Sequence, residues 1–413
     1  MSVQQVLPIR RVSAGIDWAS TDHVVCMVDA EGEVTDRFTI AHNRAGIKKL
    51  VNRLLRADVA AVAIERPDGP VVDALLEAEL NVLVIPPAQV KNLRSRYGSA
   101  GNKDDRFDAY VLADVARTDH RRLRPLVCST AATTALRSLV RSRRDLVTHR
   151  VAVANQLRAH LQIVFPAAVN LFSEIDAAIS LRFLERFTTQ GDADWLSPKR
   201  LGAWLAGAGY SGRTSPEILH TRITDAPRGT IGDEAKTLGD VTGAYVAVLR
   251  TLTAQIQVLA TSISEQLTLH PDGDIFTSLP RSGRVRAARM LAEIGDARGR
   301  FPTPESLACL AGVAPSTRQS GKVKAVTFRW GADKQLRDAL CDFAADTRHV
   351  NPWAANLYQR ARDRGHDHPH AVRILARAWA HIIWRCWQDN RPYETSQHGA
   401  LQALLNQQQT SAA

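Results

Sequence analysis

Cysteine, methionine and aromatic residues are scarce in this 413-residue sequence, and long apolar runs are absent. The five cysteines are scattered between Cys26 and Cys386 without a C-x-x-C pair, which argues against a disulfide framework and against a zinc module. No run of about 18 consecutive apolar residues occurs, so no membrane span is predicted. The polar, basic segment from Met1 to Arg11 has no apolar stretch behind it, so no secretory signal is expected. These absences predict a cytoplasmic protein with no membrane partner.

The sequence is rich enough in apolar residues to fold, and it carries a surplus of positive charge. Its hydrophobic content of 45% excludes disorder throughout, and its length suggests two or three domains. The formal net charge is +11, and residues 91–150 hold 14 Lys/Arg against 6 Asp/Glu. Surplus charge concentrated in one strip is typical of nucleic-acid binding, although a solvated helix surface would look similar.

The first 128 residues have the pattern of an α/β domain. Three short β-rich runs separated by turn residues predict a meander, and two later runs are of the buried, parallel-strand type. Helical spacing of apolar residues follows the meander and recurs near residue 110. The predicted strands are Val12–Trp18, His23–Asp29, Val34–Ile40, Val59–Ile64 and Asn81–Ile85, and the predicted helices are Asn43–Arg56 and Asp105–Thr118.

The rest of the sequence is predicted to be mainly helical. A long amphipathic helix is expected from Ala131 to Phe165, because no Pro or Gly interrupts its pattern, and a second from Val241 to Leu269. These observations divide the chain into an α/β domain (1–128), a helical coiled-coil arm with an inserted subdomain (129–270), a mostly α-helical domain (271–395) and a flexible tail (396–413).

Four carboxylates occupy positions from which they could converge. Asp17 lies at the end of the first predicted strand and Glu65 follows the fourth, while Asp105 and Asp108 share one face at the start of a helix. Such a cluster repels itself unless cations neutralise it, and two Mg²⁺ ions clamping a phosphodiester are the chemistry that uses it. Taken singly, each residue could instead be a turn residue or a helix N-terminal charge, and Asp104 is a neighbour that faces elsewhere.

Several motifs in order resemble the DEDD-type insertion-sequence transposases of the one-ten family. Gly-Ile-Asp-Trp-Ala-Ser at 15–20, Ile-Glu-Arg-Pro at 64–67 and Lys-Asp-Asp-Arg-Phe-Asp-Ala at 103–109 resemble its amino-terminal domain. Leu-Ala-Gly-Val-Ala-Pro at 310–315 and Arg-Gln-Ser-Gly-Lys at 318–322 resemble its second domain. Where the family usually has Pro-Gly-x-Gly-Pro, this chain has Pro-Arg-Ser-Gly-Arg at 280–284, which exchanges flexibility for charge.

The resemblance implies a fold, a chemistry and partners. The first domain would be RNase H-like, similar to the resolvase RuvC, and would bind Mg²⁺ through Asp17, Glu65, Asp105 and Asp108. The second, transposase domain would carry the catalytic serine in the Ser-Gly of the loop that follows Leu-Ala-Gly-Val-Ala-Pro. This serine maps to Ser320, with Ser316 and Ser282 as competitors. Family membership further implies a structured bridge RNA that pairs with donor and target DNA. It also implies homodimers that assemble to a tetramer and share active sites.

The nucleic-acid-binding residues are predicted from the basic strip and from the surroundings of Ser320. They are Lys91, Arg94, Arg96, Lys103, Arg106, Arg141, Arg143, Arg144, Arg318, Lys322 and Lys324.

Two other functions remain open from the sequence. A metal-dependent junction resolvase or nuclease would use water as the nucleophile and leave no protein–DNA adduct. A non-catalytic nucleic-acid-binding scaffold would tolerate Asp17→Asn or Glu65→Gln.

Overall fold

The structure, a computed structural model, describes residues 12–97, 104–320 and 323–412, and for Arg318, Val323, Lys324, Ser411 and Ala412 it describes the backbone alone. The chain divides into two compact units, Met1–Cys128 and Ser129–Ala413. Each is considered by itself.

Unit 1 is built around a mixed sheet. Its described elements are β1 (Val12–Trp18), β2 (Asp22–Val28), β3 (Val34–Ala41), α1 (Arg44–Arg56), β4 (Val59–Ile64), α2 (Pro70–Glu77), β5 (Val82–Val84), α3 (Pro87–Arg94) and α4 (Asp105–Thr118). The strand order is β3-β2-β1-β4-β5, with β1–β2 and β2–β3 antiparallel and β1–β4 and β4–β5 parallel. The predicted meander, the parallel pair that follows it and the helix at Asp105–Thr118 are therefore confirmed.

Helices cover both faces of the sheet. On one face Ala14 and Ile16 of β1 pack with Leu50 and Leu54 of α1. On the other face α4 lies directly against β1, because Gly15 has no side chain to hold it away. Since successive residues of a strand point to opposite faces, Gly15 and Asp17 share the face that α4 covers.

Unit 2 is mostly helical. Its described elements are α5 (Ala131–Val164), α6 (Pro166–Val169), α7 (Ala178–Arg186), α8 (Gln190–Ala193), α9 (Pro198–Gly207), α10 (Pro216–Thr224), α11 (Asp233–Leu269), α12 (Gly273–Thr277), α13 (Gly283–Ile294), α14 (Pro304–Leu310), β6 (Ser316–Ser320), β7 (Val323–Thr327), α15 (Lys334–Thr347), α16 (Pro352–Asp363), α17 (His368–Gln388) and α18 (Gly399–Ala412). The predicted long helices correspond to α5 and α11.

The long helices α5 and α11 run antiparallel and take part in two separate hydrophobic cores. Near one end, Leu136 of α5 and Leu267 of α11 belong to the core formed with α12–α17. Near the other end, Leu157 of α5 and Leu249 of α11 belong to a core formed with α6–α10. The pair thus joins two parts of unit 2, while the predicted coiled-coil character of this arm stays a prediction.

Helix α11 is, among the described residues, long and apolar enough to cross a membrane by length and composition alone. Polar residues interrupt its sequence, so it contains no continuous apolar run of that length. Only 22% of its most apolar segment is buried. One face of α11 packs along α5, whereas Val248 and Val258 leave apolar side chains exposed.

The end of the chain differs from the flexible tail expected at 396–413. Residues 399–412 form α18, and Leu401 at its start is buried. The hydroxyl of Tyr393 and Nδ1 of His398 are 2.8 Å apart, and the His398 ring contacts Trp353 at 4.5 Å between centroids. These contacts anchor the start of the segment, which sequence composition alone did not indicate.

Candidate active site and its basic surroundings

Three of the four predicted carboxylates lie together in unit 1. Oxygen atoms of Asp17, Asp105 and Asp108 lie within 4.8 Å of one another. Asp105 is exposed, Asp17 is half-buried and Asp108 is 2% exposed, so the cluster extends from the surface into the domain. Asp104 caps α4 by accepting a hydrogen bond from the Arg106 N–H at 3.0 Å, a structural role apart from the cluster.

The close contact between β1 and α4 explains why these carboxylates meet. A Cβ on Gly15 would lie 2.7 Å from Cβ of Leu112 and still closer to backbone atoms of Ala109 and Ala113. Only glycine permits this approach, which brings the first turn of α4 to the end of β1. The sequence contained this signal in the glycine two residues before Asp17, but its meaning depends on tertiary packing.

Glu65 lies beside the cluster without belonging to the group of three. β4 pairs with β1 in parallel, and Ile64 is in register with Ile16. Asp17 follows Ile16 and Glu65 follows Ile64, so the backbones of these two acidic residues are neighbours at the same end of the sheet. Ala61 and Ala63 pack with α4 residues, and alternation predicts the same face for Glu65.

An arginine that was predicted to bind nucleic acid instead holds one of these carboxylates. Nε of Arg94, at the end of α3, donates to Oδ1 of Asp108 at 2.5 Å, and its Nη2 donates to Oδ2. This bidentate contact orients Asp108 and neutralises part of the negative charge of the cluster.

A histidine pair near Asp17 was also missed from the sequence. His23 on β2 is opposite Trp18, and its Nε2 lies 2.8 Å from Nδ1 of His42. Burial, followed by the neighbouring His42, lowers the pKa of His23, so His23 favours its neutral form. The contact between the two rings links β2 to the end of β3 beside Asp17.

Ser320 ends strand β6 of an antiparallel hairpin in unit 2. It pairs with Val323 across the hairpin and is exposed, whereas a loop was expected at this point. No described side chain hydrogen-bonds to its hydroxyl. Of its competitors, Ser316 begins β6 and is half-buried, while Ser282 is 2% exposed. Ser320 is therefore the most accessible of the three.

Comparisons with known proteins agree with this arrangement. Residues 14–166 match the DEDD transposase family of IS110, and residues 273–359 match the Transposase IS116/IS110/IS902 family. The protein named as the mini-circle transposase for IS117 of Streptomyces coelicolor is 33% identical over 93% of this chain and 95% of its own length. A 44.8 kDa protein of insertion element IS116 from Streptomyces clavuligerus is 27% identical over 92% of this chain and 96% of its own length.

The chain belongs to the IS110 family of transposases.

As a transposase, the protein is an enzyme that acts on DNA, and a DEDD-type domain implies the use of a divalent metal. Asp17, Asp105 and Asp108 have the chemistry for it, because carboxylate oxygens are the ligands that hard divalent cations prefer. Each oxygen of Asp108 accepts one hydrogen bond from Arg94 and keeps a further lone-pair direction for a cation.

The basic residues predicted to bind nucleic acid fall into four groups. Some are exposed in unit 1, namely Lys91, Arg96 and Arg106. Others have carboxylate partners within their own unit, namely Arg94 with Asp108, Arg141 with Glu293 and Arg144 with Asp338. Lys103 and Lys322, together with the side chains of Arg318 and Lys324, lie outside the described residues, and Arg143 lines a cleft of unit 2.

Proposed function

We propose that this transposase is a bridge-RNA-guided recombinase that cuts and rejoins donor and target DNA through a covalent link between Ser320 and DNA. The convergence of Asp17, Asp105 and Asp108 at the end of β1 is the observation that supports it most strongly. An RNase H-like domain with such a site is suited to phosphodiester chemistry.

The carboxylates Asp17, Asp105 and Asp108, with Glu65 beside them, would hold Mg²⁺. When bound, the cation neutralises charge on the phosphate and favours ionisation of a hydroxyl. Arg94 fixes the orientation of Asp108 through two hydrogen bonds. Because Asp108 is buried and held in this way, it would act as the rigid ligand of the set, while exposed Asp105 completes the site from the surface.

Ser320 would supply the nucleophile. Its Oγ loses a proton and bonds to phosphorus, the bond from phosphorus to the leaving strand oxygen breaks, and that oxygen takes up a proton as a free hydroxyl. The phosphodiester to Ser320 conserves the bond energy, so attack by another DNA hydroxyl reverses the step and rejoins strands. Exposure of Ser320 at the tip of a hairpin suits attack on a large substrate.

The guide and the assembly are the remaining parts of the proposal. Exposed Lys91, Arg96 and Arg106 would contact RNA or DNA backbones, while base pairing by the bridge RNA would supply sequence specificity. The pair of α5 and α11 would form the dimerisation arm, because Val151 and Val258 expose apolar side chains along it. Dimers would then pair into a tetramer that shares active sites, in the cytoplasm.

The test is to purify the protein from cells that carry its native flanking DNA and to sequence the RNA that co-purifies. We expect one structured RNA that maps beside the gene. Heterogeneous RNA, or none, would contradict guidance and favour a protein-read resolvase or nuclease. Branched DNA substrates with Mg²⁺ would then separate a resolvase, which cleaves them, from a scaffold that binds without cleaving and tolerates Asp17→Asn.

A further inference from the structure

Arg94 is bonded to both oxygens of Asp108, the most buried carboxylate of the cluster. Its Nε donates to Oδ1 at 2.5 Å, and its Nη2 donates to Oδ2. The side chain of Asp108 is 3% exposed, whereas that of Arg94 is 29% exposed. A buried carboxylate that lacks a counter-charge is strongly destabilising. Asp108 therefore depends on a positive charge, which Arg94 supplies while part of its own side chain still reaches solvent.

A divalent cation at the cluster needs the same oxygens that Arg94 contacts. Oxygen atoms of Asp17, Asp105 and Asp108 lie within 4.8 Å of one another. An ion held by all three residues therefore contacts an oxygen that accepts a hydrogen bond from Arg94. The ion and the guanidinium would then share one carboxylate, and two positive charges at such a short distance repel each other. Arg94 and the ion are thus competitors for Asp108.

The formal charges indicate which competitor leaves. The proposed metal site has four carboxylates, namely Asp17, Glu65, Asp105 and Asp108. Their four negative charges equal the four positive charges of two divalent cations, the number used in two-metal phosphodiester chemistry. With Arg94 also in place, one positive charge would be in excess. The 29% exposure of Arg94 lets its guanidinium turn to water, which lowers the cost of its departure.

The rest of helix α3 is held in place independently of this pair. Val90 of α3 belongs to the same buried cluster as Val111 of α4. Three residues beyond Arg94, the hydroxyl of Tyr97 donates a hydrogen bond of 2.5 Å to Asp114 of α4. Because these contacts do not involve Arg94, its departure from Asp108 requires only rotation of its own side chain.

We propose that Arg94 is an exchangeable counter-ion of the metal site, which pairs with Asp108 until divalent cations bind and displace it. The inference rests on the proposed function, since the cations belong to that function. Before they bind, the pair orients Asp108. It also lowers the affinity of the site for cations, because each ion must compete with a positive charge that is part of the chain. Arg94 is thus a positioning residue that sets the ion concentration at which the site fills.

Arg94→Gln separates this role from simple orientation of Asp108. Calorimetric titration of the full chain with Mn²⁺ should show binding at least about tenfold tighter than in the wild type, because the competing charge is gone. In EDTA the melting temperature should fall, since Asp108 loses its partner. At saturating Mn²⁺ the melting temperatures of the two proteins should converge, because Arg94 no longer stabilises the ion-bound protein.

Two further variants complete the series. Arg94→Lys keeps the charge but cannot make the bidentate contact, so its affinity for Mn²⁺ should lie between those of the wild type and Arg94→Gln. The matched control is Arg53→Gln, because Arg53 also bonds both oxygens of an aspartate, Asp36, on the other face of the same sheet. It should lower the melting temperature equally with and without Mn²⁺ and change the affinity by less than about twofold.

The direction of the change in Mn²⁺ affinity decides the matter. Weaker or unchanged binding in Arg94→Gln would overturn the inference and leave the metal site standing, because orientation of Asp108 would then outweigh competition. If Arg94→Gln does not fold, weaker binding in Arg94→Lys than in the wild type would overturn it in the same way. Absence of Mn²⁺ binding in the wild type and in both Arg94 variants would remove the proposed metal site and the inference together.

Discussion

Substituting Gly15 by alanine tests whether the packing of α4 on β1 builds the carboxylate cluster. The added Cβ would lie 2.7 Å from Cβ of Leu112, whereas carbon atoms pack at about 3.5–4.0 Å. Helix α4 must therefore move outward by about 1 Å, and backbone atoms of Ala109 and Ala113 lie even closer. Overpacking of this kind costs about 1–3 kcal/mol. The shift also separates Asp105 and Asp108 from Asp17.

The assay combines hydrogen–deuterium exchange of β1 and α4 with a calorimetric titration that measures the affinity of the protein for Mn²⁺, a divalent ion. We expect faster exchange in both elements and at least tenfold weaker ion binding in Gly15→Ala. The matched control is Gly243→Ala in helix α11, where nothing lies within 4 Å of the added Cβ. That change should stabilise the protein by about 0.5–1 kcal/mol, because alanine favours a helix. Unchanged exchange and ion binding in Gly15→Ala would refute the reasoning.

Two further predictions concern the stability of unit 2. Arg141→Gln should lower the free energy of unfolding by about 1–3 kcal/mol in denaturant titration, because it leaves the 2%-exposed Glu293 without its bidentate partner. The partial exposure of Arg141 keeps this cost below that of breaking a fully buried pair. Adding Glu293→Gln should restore most of the lost stability. Burial lowers the pKa of His270, against the opposing pull of Asp272 and Asp296, and burial also lowers the pKa of His398. As the pH falls, these histidines take up protons more readily in the unfolded chain than in the folded one. The stability present at pH 7.5 should therefore fall as the pH drops through 6.5 toward 5, and it should fall less steeply in His398→Gln than in the wild type. A melting temperature independent of pH in this range would contradict the assignment.

The sequence predicted those parts of the fold that depend on local pattern. Strand alternation and Pro or Gly punctuation located β1–β4 and the long helix α5, because both signals lie within a few residues of the element concerned. Strand ends located Asp17 and Glu65. The hairpin that carries Ser320 was expected as a loop, since its short strands have weak alternation.

Local sequence patterns did not predict which carboxylates pair with the charged residues. Arg141 was assigned to nucleic acid from its place in a basic strip, yet its partner Glu293 is 152 positions away. Arg94 reaches Asp108 across 14 positions, and Gly15 matters only because α4 packs on it. The spacing of residues along the chain does not reveal such contacts. A count of basic residues in a segment therefore overestimates how many of them are free to bind nucleic acid.

The most direct test of the central claim is to look for a covalent link between Ser320 and DNA. The purified protein, its co-purified RNA and labelled donor DNA would be incubated with Mg²⁺, denatured and examined for a DNA-linked protein band, which mass spectrometry then maps. We predict a link on Ser320 that disappears in Ser320→Ala and persists in Ser316→Ala, the control serine at the start of the same strand. A link that persists in Ser320→Ala, or cleavage without any link, would contradict the account.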